Sequence, residues 1–140
     1  MKNNPSNNPL TCALIVEDSP INAMAAQMML KHLNCQAEIA ECGTVALTKI
    51  NNPFHFIIMD LGLPDADGLE LSLTIRQQSA CNASTPIVIL TAHGDKKQKE
   101  QAREMGLNGF LGKPLTSELC QEMINHFVLS AVDKNYFLEN

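Results

Sequence analysis

The sequence predicts an α/β fold, a doubly wound sandwich built around a five-stranded parallel sheet. Two patterns predict it. Short apolar runs alternate with amphipathic stretches between Leu10 and Leu129, which means parallel strands joined by right-handed crossovers. The runs are continuously apolar rather than alternating, as strands are when helices cover both faces of their sheet. A length of 140 residues suits one domain closing one sizeable core.

The elements follow in order. "CALIV" (Cys12 to Val16) is the first strand and ends at Glu17 and Asp18. "DSPINAMAAQMMLKHLN" opens the first helix, with Asp18 or Ser19 placed to cap it and Pro20 in its first turn. Ile21, Met24, Ala25, Met28 and His32 recur at helical spacing and read as its core-facing stripe. "CQAEIA" is a second, weaker strand, and "GTVALTKI" a short helix stopped by "NNP". "FHFIIM" is the third strand, "GLELSLTIRQQ" the third helix and "PIVIL" the fourth strand. "DKKQKEQAREMG" is a polar fourth helix with Asp95 as cap and Gly106 as terminator. "GFL" is a brief fifth strand. The fifth helix starts at Thr116 or Ser117 and buries Leu119, Met123 and Phe127. Residues 1–9, "MKNNPSNNP", read as a flexible leader or interdomain linker. The domain is expected over residues 10–129, with 130–140 a C-terminal tail.

Composition narrows the function. A net charge of −5 argues against a nucleic-acid surface, which needs clustered Lys and Arg. The one basic cluster, Lys96, Lys97 and Lys99, is followed by Glu100 and reads as a solvated helix face. The five cysteines form no C-x-x-C pair, and three of them sit among apolar neighbours as small hydrophobes. With no secretory leader pattern and no membrane-length apolar run, the expectation is a cytoplasmic chain without direct membrane contact. His32, His55 and His126 are dispersed and read as surface or boundary residues.

In a doubly wound sheet, ligands bind beyond the carboxyl ends of the strands. There the first strand brings Glu17 and Asp18, the third Asp60, the fourth Thr91 and the fifth Lys113, followed by Pro114. Singly, each has a plain role as a helix cap, a loop residue or a solvated amine. Jointly, three carboxylates would crowd one edge. Two like charges ~4 Å apart repel by about 4 kcal/mol at an effective dielectric near 20. Lys113 supplies one compensating charge and a small divalent cation the natural second. Mg²⁺ suits an all-oxygen site that leaves room for a phosphoryl oxygen. The chemistry this implies is phosphoryl transfer to a carboxylate. Asp60 needs no base because an aspartate is ionised near neutral pH, and Thr91 offers a hydroxyl to the incoming group.

These residues resemble a known family. "VEDS", "IIMDLGLPDADG", "PIVILTAH" and "GFLGKPL" are similar to the motifs of receiver domains in bacterial two-component response regulators. The wording of "VEDSPIN" and "MDLGLPDADGLEL" is most like receivers attached to hybrid sensor histidine kinases. A stand-alone single-domain regulator is the other origin. The resemblance implies a flavodoxin-like sheet of order 2-1-3-4-5. It also implies Asp60 as phosphoacceptor, Asp18 as a direct ligand of Mg²⁺ (or Mn²⁺), Glu17 holding the ion through water, and the Gly62 backbone carbonyl as a further ligand. Thr91 and Lys113 would bind the phosphoryl group, the Lys113–Pro114 peptide would be cis, and Phe110 would be the switch aromatic that turns inward with Thr91. The implied partner is a histidine kinase dimerisation domain or a histidine phosphotransfer protein, met by a monomer or weak dimer. Gly62 lacks the side chain that many receivers place near the phosphoryl group, and His93 is polar in the same region.

Rival readings are weaker. "GLNGFLGKP" fails as a phosphate loop because Leu107 stands where its first glycine belongs and Pro114 where Ser or Thr would hold Mg²⁺. "LPDADGLEL" fails as a calcium loop because Leu63 and Thr74 occupy its first and last ligand positions. A phosphatase or mutase passing through an aspartyl-phosphate would need a second acid near Asp60, where Gly62 stands. A degenerate receiver serving only as a binding surface is disfavoured by the intact Glu17, Asp18, Asp60, Thr91 and Lys113.

Overall fold

A computed structural model describes residues 11–130 and 136–140, so the expected leader, 1–9, lies outside the described residues. The strands are β1 (Thr11–Val16), β2 (Cys35–Ala40), β3 (Phe56–Asp60), β4 (Ile87–Thr91), β5 (Gly109–Gly112) and β6 (Leu138–Glu139). The helices are α1 (Pro20–His32), α2 (Gly43–Lys49), α3 (Gly68–Gln78), α4 (Lys96–Glu104) and α5 (Ser117–Ile124). All strands are parallel in the order β2-β1-β3-β4-β5-β6. The predicted 2-1-3-4-5 sheet is therefore present, with one strand more at its edge.

Successive side chains of a strand face opposite sides of the sheet, and the apolar runs feed two cores. Leu14, Val16, Ile57, Met59, Ile87 and Ile89 pack on one side with Ala46, Ile75 and Ala102 of α2, α3 and α4. Ala13, Ile15, Phe56, Ile58, Val88 and Leu111 pack on the other with Leu30 of α1 and Cys120 and Met123 of α5.

Local chemistry sets the helix ends. Ser19, not Asp18, caps α1 by accepting from the Asn22 N–H, which leaves the Asp18 carboxylate for other work. Asp95 and Gln98 form a reciprocal capping box on α4. Gly106 ends that helix with φ at 78°, in the left-handed region that glycine enters without steric cost. Thr116 caps α5, which continues as a π-helical turn over Asn125–Ser130.

The stripe expected to bury α1 does not do so. Ile21 is 81% exposed, Met24 59% and Met28 60%, whereas Ala23, Ala26 and Leu30 face the sheet. Helix α1 carries two apolar stripes, and the one with small residues lets its backbone lie close to β1 and β2. Periodicity registers both stripes and cannot choose between them. Part of the expected tail is also structured, since Leu138 is buried against β5 as a strand residue.

Candidate functional site

The sheet register places the chemistry. Val16 pairs with Met59, Asp60 with Leu90, and Thr91 with Gly112. Glu17-Asp18, Asp60, Thr91 and Lys113 therefore come off the same edge of the sheet. Glu17, Asp18 and Asp60 each offer an oxygen, and these oxygens lie within 4.8 Å of one another. Glu17 and Asp60 are buried and Asp18 is exposed, so the cluster opens to solvent on the Asp18 side.

Lys113 answers that negative charge. Its Nζ lies 2.8 Å from Glu17 Oε1 and 3.7 Å from Asp60 Oδ2. Burial opposes the ammonium, but the hydrogen bond to Glu17 and the charge of Asp60 outweigh it and raise the Lys113 pKa. Lys113 is thus held cationic. Its peptide bond to Pro114 is cis, and its backbone N–H donates to the Thr91 carbonyl at 2.8 Å.

Asp60 is under strain of a different kind. Burial pushes its carboxyl up to about 6; the Gly62 N–H and the Lys113 charge pull down, and Glu17 and Asp18 push up. The Gly62 N–H donates to Asp60 Oδ1 at 3.2 Å. One ammonium shared among three carboxylates leaves the cluster net negative, and its donors are all hard oxygens. A divalent cation fits that set.

The loop from Asp60 to Gly68 is fastened at several points. Gly62 bridges to Asp67, Asp67 caps α3 through the Leu69 N–H, and the Gly68 N–H donates to the Leu61 carbonyl. A Cβ on Gly68 would stand 2.3 Å from the Asp60 carbonyl oxygen, so only glycine lets α3 start this close to β3. At Gly62, by contrast, a Cβ would meet nothing within 4 Å.

Sequence reasoning missed Asp65. Its carboxylate accepts from the Gly43 N–H at 2.7 Å, the Thr44 N–H at 3.0 Å and the Thr44 hydroxyl at 2.9 Å. It caps α2 from a different loop, because Cys42 makes no side-chain cap there. The Gly43 N–H, then the two Thr44 groups, hold the Asp65 carboxyl below its usual range. No spacing rule signals a cap donated from 22 residues away.

Thr91 Oγ1 accepts from the His93 N–H at 3.3 Å, so its hydrogen remains to be donated. Phe110 is already buried. A Cβ on Gly94 would stand 2.5 Å from Phe110 Cε1 and 2.6 Å from Thr91 Cγ2, which places ring and methyl together under Gly94. In this conformation the burial expected from an inward turn of Phe110 is already taken. His93 is exposed.

Comparison with known proteins agrees with this arrangement. The family described as response regulator receiver domain matches residues 13–125. The response regulator ArlR of Staphylococcus saprophyticus is 36% identical over 110 residues, 78% of this chain and 48% of that protein. The sensor histidine kinase GacS of Pseudomonas protegens is 30% identical over 114 residues, 79% of this chain but 12% of that protein. The chain thus spans about half or less of these relatives' length. Among solved structures, the chemotaxis protein CheY4 of Vibrio cholerae superposes with a TM-score of 0.78 at 27% identity, over 86% of this chain and 100% of that one. A response regulator from Chloroflexus aurantiacus gives 0.74 at 31% identity, over 84% and 97%. Among the described residues, no helix is long and apolar enough to cross a membrane. Motifs, sheet order and the carboxylate-lysine edge lead to one conclusion: the chain belongs to the response regulator receiver domain family.

Proposed function

We propose that Asp60 takes a phosphoryl group from a phosphohistidine in a Mg²⁺-dependent reaction. The observation that carries this is the buried Asp60 carboxylate between Lys113 and the Glu17–Asp18 pair. An Asp60 oxygen attacks phosphorus, an O–P bond forms as the N–P bond breaks, and the imidazole leaves with the electron pair and takes up a proton. Lys113 offsets the charge that collects on the phosphoryl oxygens, and Thr91 donates its hydroxyl hydrogen to one of them. Glu17, Asp18, Asp60 and the Gly62 carbonyl would hold the ion, which supplies further charge neutralisation when bound. Mn²⁺ would satisfy the same oxygens.

The partner would be a histidine kinase dimerisation domain or a histidine phosphotransfer protein. The exposed α1 stripe of Ile21, Met24 and Met28 begins just after Asp18 and suits packing against a helical bundle that presents the histidine. The likeness to part of a sensor histidine kinase supports an origin as the receiver of a hybrid kinase, and the match to the whole length of CheY4 supports a stand-alone regulator. Catalysis by the isolated domain would be confined to its own phosphorylation and dephosphorylation, in cytoplasmic surroundings.

Phosphoramidate, which carries an N–P bond, tests this reading against a phosphatase that passes through the same acyl phosphate. With Mg²⁺ the chain should take up one phosphoryl group and hold it, and chelation or Asp60→Asn should prevent uptake. Release of many equivalents of phosphate per chain per minute would favour the phosphatase, and labelling of Asp60→Asn equal to wild type would refute the assignment.

A further inference from the structure

Methionine is spread unevenly between core and surface. Among the described residues, Met59 and Met123 are fully buried and Met29 and Met105 half-buried, whereas Met24 and Met28 are 59% and 60% exposed. The two exposed thioethers stand four residues apart on α1, so they are neighbours on one face of the helix. Ile21, 81% exposed, continues that face toward Asp18. This is the stripe to which partner docking is assigned.

A thioether is apolar and deformable, which suits an adaptable contact surface. It is also a two-electron reductant. A hydroperoxide gives its terminal oxygen to the sulfur: the sulfur lone pair forms the S–O bond and the O–O bond breaks. The remaining oxygen takes the proton and leaves as water or an alcohol. The product is a sulfoxide, polar and chiral. Leucine would offer α1 a similar apolar surface and helix preference without this reactivity.

Oxidation confined to these two positions spares the fold and the phosphoacceptor edge. Ala23, Ala26 and Leu30 carry α1 onto the sheet, and Met59, the neighbour of Asp60, lies wholly inside β3. Buried thiols compete poorly for oxidant. Burial pushes Cys35 up to about 12 and Cys120 up to about 11, so neither offers thiolate near neutral pH. Cys81 is exposed, but its contacts are with Ser79, Ile50 and Asn51 rather than with α1.

We propose that Met24 and Met28 form a reversible oxidation site, and that their conversion to sulfoxides by a hydroperoxide shuts off docking of the phosphohistidine partner. Each sulfoxide places a strong acceptor in a contact that must be dehydrated, where it is costly without a donor. Methionine sulfoxide reductases, one for each epimer, restore the thioethers; two thiols become a disulfide and the oxygen leaves as water. The effect on docking rests on the proposed function, whereas the place of oxidation does not.

Tandem mass spectrometry after limiting hydrogen peroxide should find sulfoxide at positions 24 and 28 before 29, 59, 105 or 123. The oxidised chain should then take phosphate at least tenfold more slowly from a phosphorylated histidine phosphotransfer domain that serves the untreated chain. Phosphoramidate should still label it at the untreated rate. Both reductases with dithiothreitol should restore transfer, which dithiothreitol alone should not do. In a chain carrying Met24→Leu and Met28→Leu, whatever its starting rate, peroxide should leave transfer unchanged although Cys81 is present. Earlier oxidation of a buried methionine, transfer indifferent to the two sulfoxides, equal loss in the double variant, or equal loss of phosphoramidate labelling would each overturn the proposal. If no such domain serves even the untreated chain, the docking reading falls and the switch with it, while the mass spectrum still decides the oxidation site.

Discussion

Asp60 is the residue on which most forces converge. Burial raises its pKa from 3.8 to about 6, above the value it would have in the unfolded chain. The native state therefore holds the proton more tightly, and ionising Asp60 costs stability progressively as pH rises from about 4 to about 6. Above pH 6 the cost is complete; below pH 4 it vanishes. Asp60→Asn should accordingly melt higher than wild type in chelator at pH 7.5, by about 4 °C for each kcal/mol relieved, and the gap should close toward pH 4. Thermal melts across that range check it, and a variant less stable than wild type at neutral pH would show that Asp60 is favourably solvated instead. At this scale the site was legible, because Glu17, Asp18, Asp60, Thr91 and Lys113 are local motifs at strand ends. Asp65 was not, since its partners Gly43 and Thr44 become neighbours only once α2 and the loop after β3 have packed.

Among the elements, the loop from β3 to α3 carries the most constraint in the fewest residues. The two glycines in it make opposite demands. Gly68→Ala drives a methyl to 2.3 Å from the Asp60 carbonyl oxygen, while Gly62→Ala meets nothing within 4 Å. Overpacking of this kind costs about 1–3 kcal/mol, whereas an unobstructed surface change stays within about 0.5 kcal/mol. Denaturant midpoints of the two variants should separate accordingly, and equal midpoints would mean that α3 can shift away from β3 without penalty. Helix existence and order were readable from alternation and capping residues, as with Asp95 and Gly106. Which face of α1 turns inward was not, because Ala23–Ala26–Leu30 and Ile21–Met24–Met28 carry the same period. Strand β6 was missed for a related reason: Glu139 is held by Lys99 and Arg103, and its neighbour Asn140 by Gly112, none of which is local in sequence.

The whole molecule is a doubly wound sheet whose carboxyl edge gathers like charges at a cost to its own stability. An ion that binds only the native cluster repays that cost by mass action, about 2.7 kcal/mol at a hundred times its dissociation constant. Millimolar Mg²⁺ should raise the wild-type Tm, and Asp18→Ala should lose most of the rise without melting below metal-free wild type, since Ser19 and not Asp18 caps α1. A wild-type Tm indifferent to Mg²⁺ would contradict the metal site. Fold class was the most legible property at this scale, because continuous apolar strands and crossover helices admit few arrangements. The most direct measurement of the phosphoacceptor role is borohydride reduction of the chain after exposure to phosphoramidate and Mg²⁺, with the modified residue located by tandem mass spectrometry. Reduction of an acyl phosphate leaves an alcohol where the carboxyl stood. The expected result is that alcohol at position 60 alone, dependent on both donor and Mg²⁺. Its appearance at position 17 or 18, or its absence from position 60 in a chain that has taken up phosphate, would contradict the assignment of Asp60.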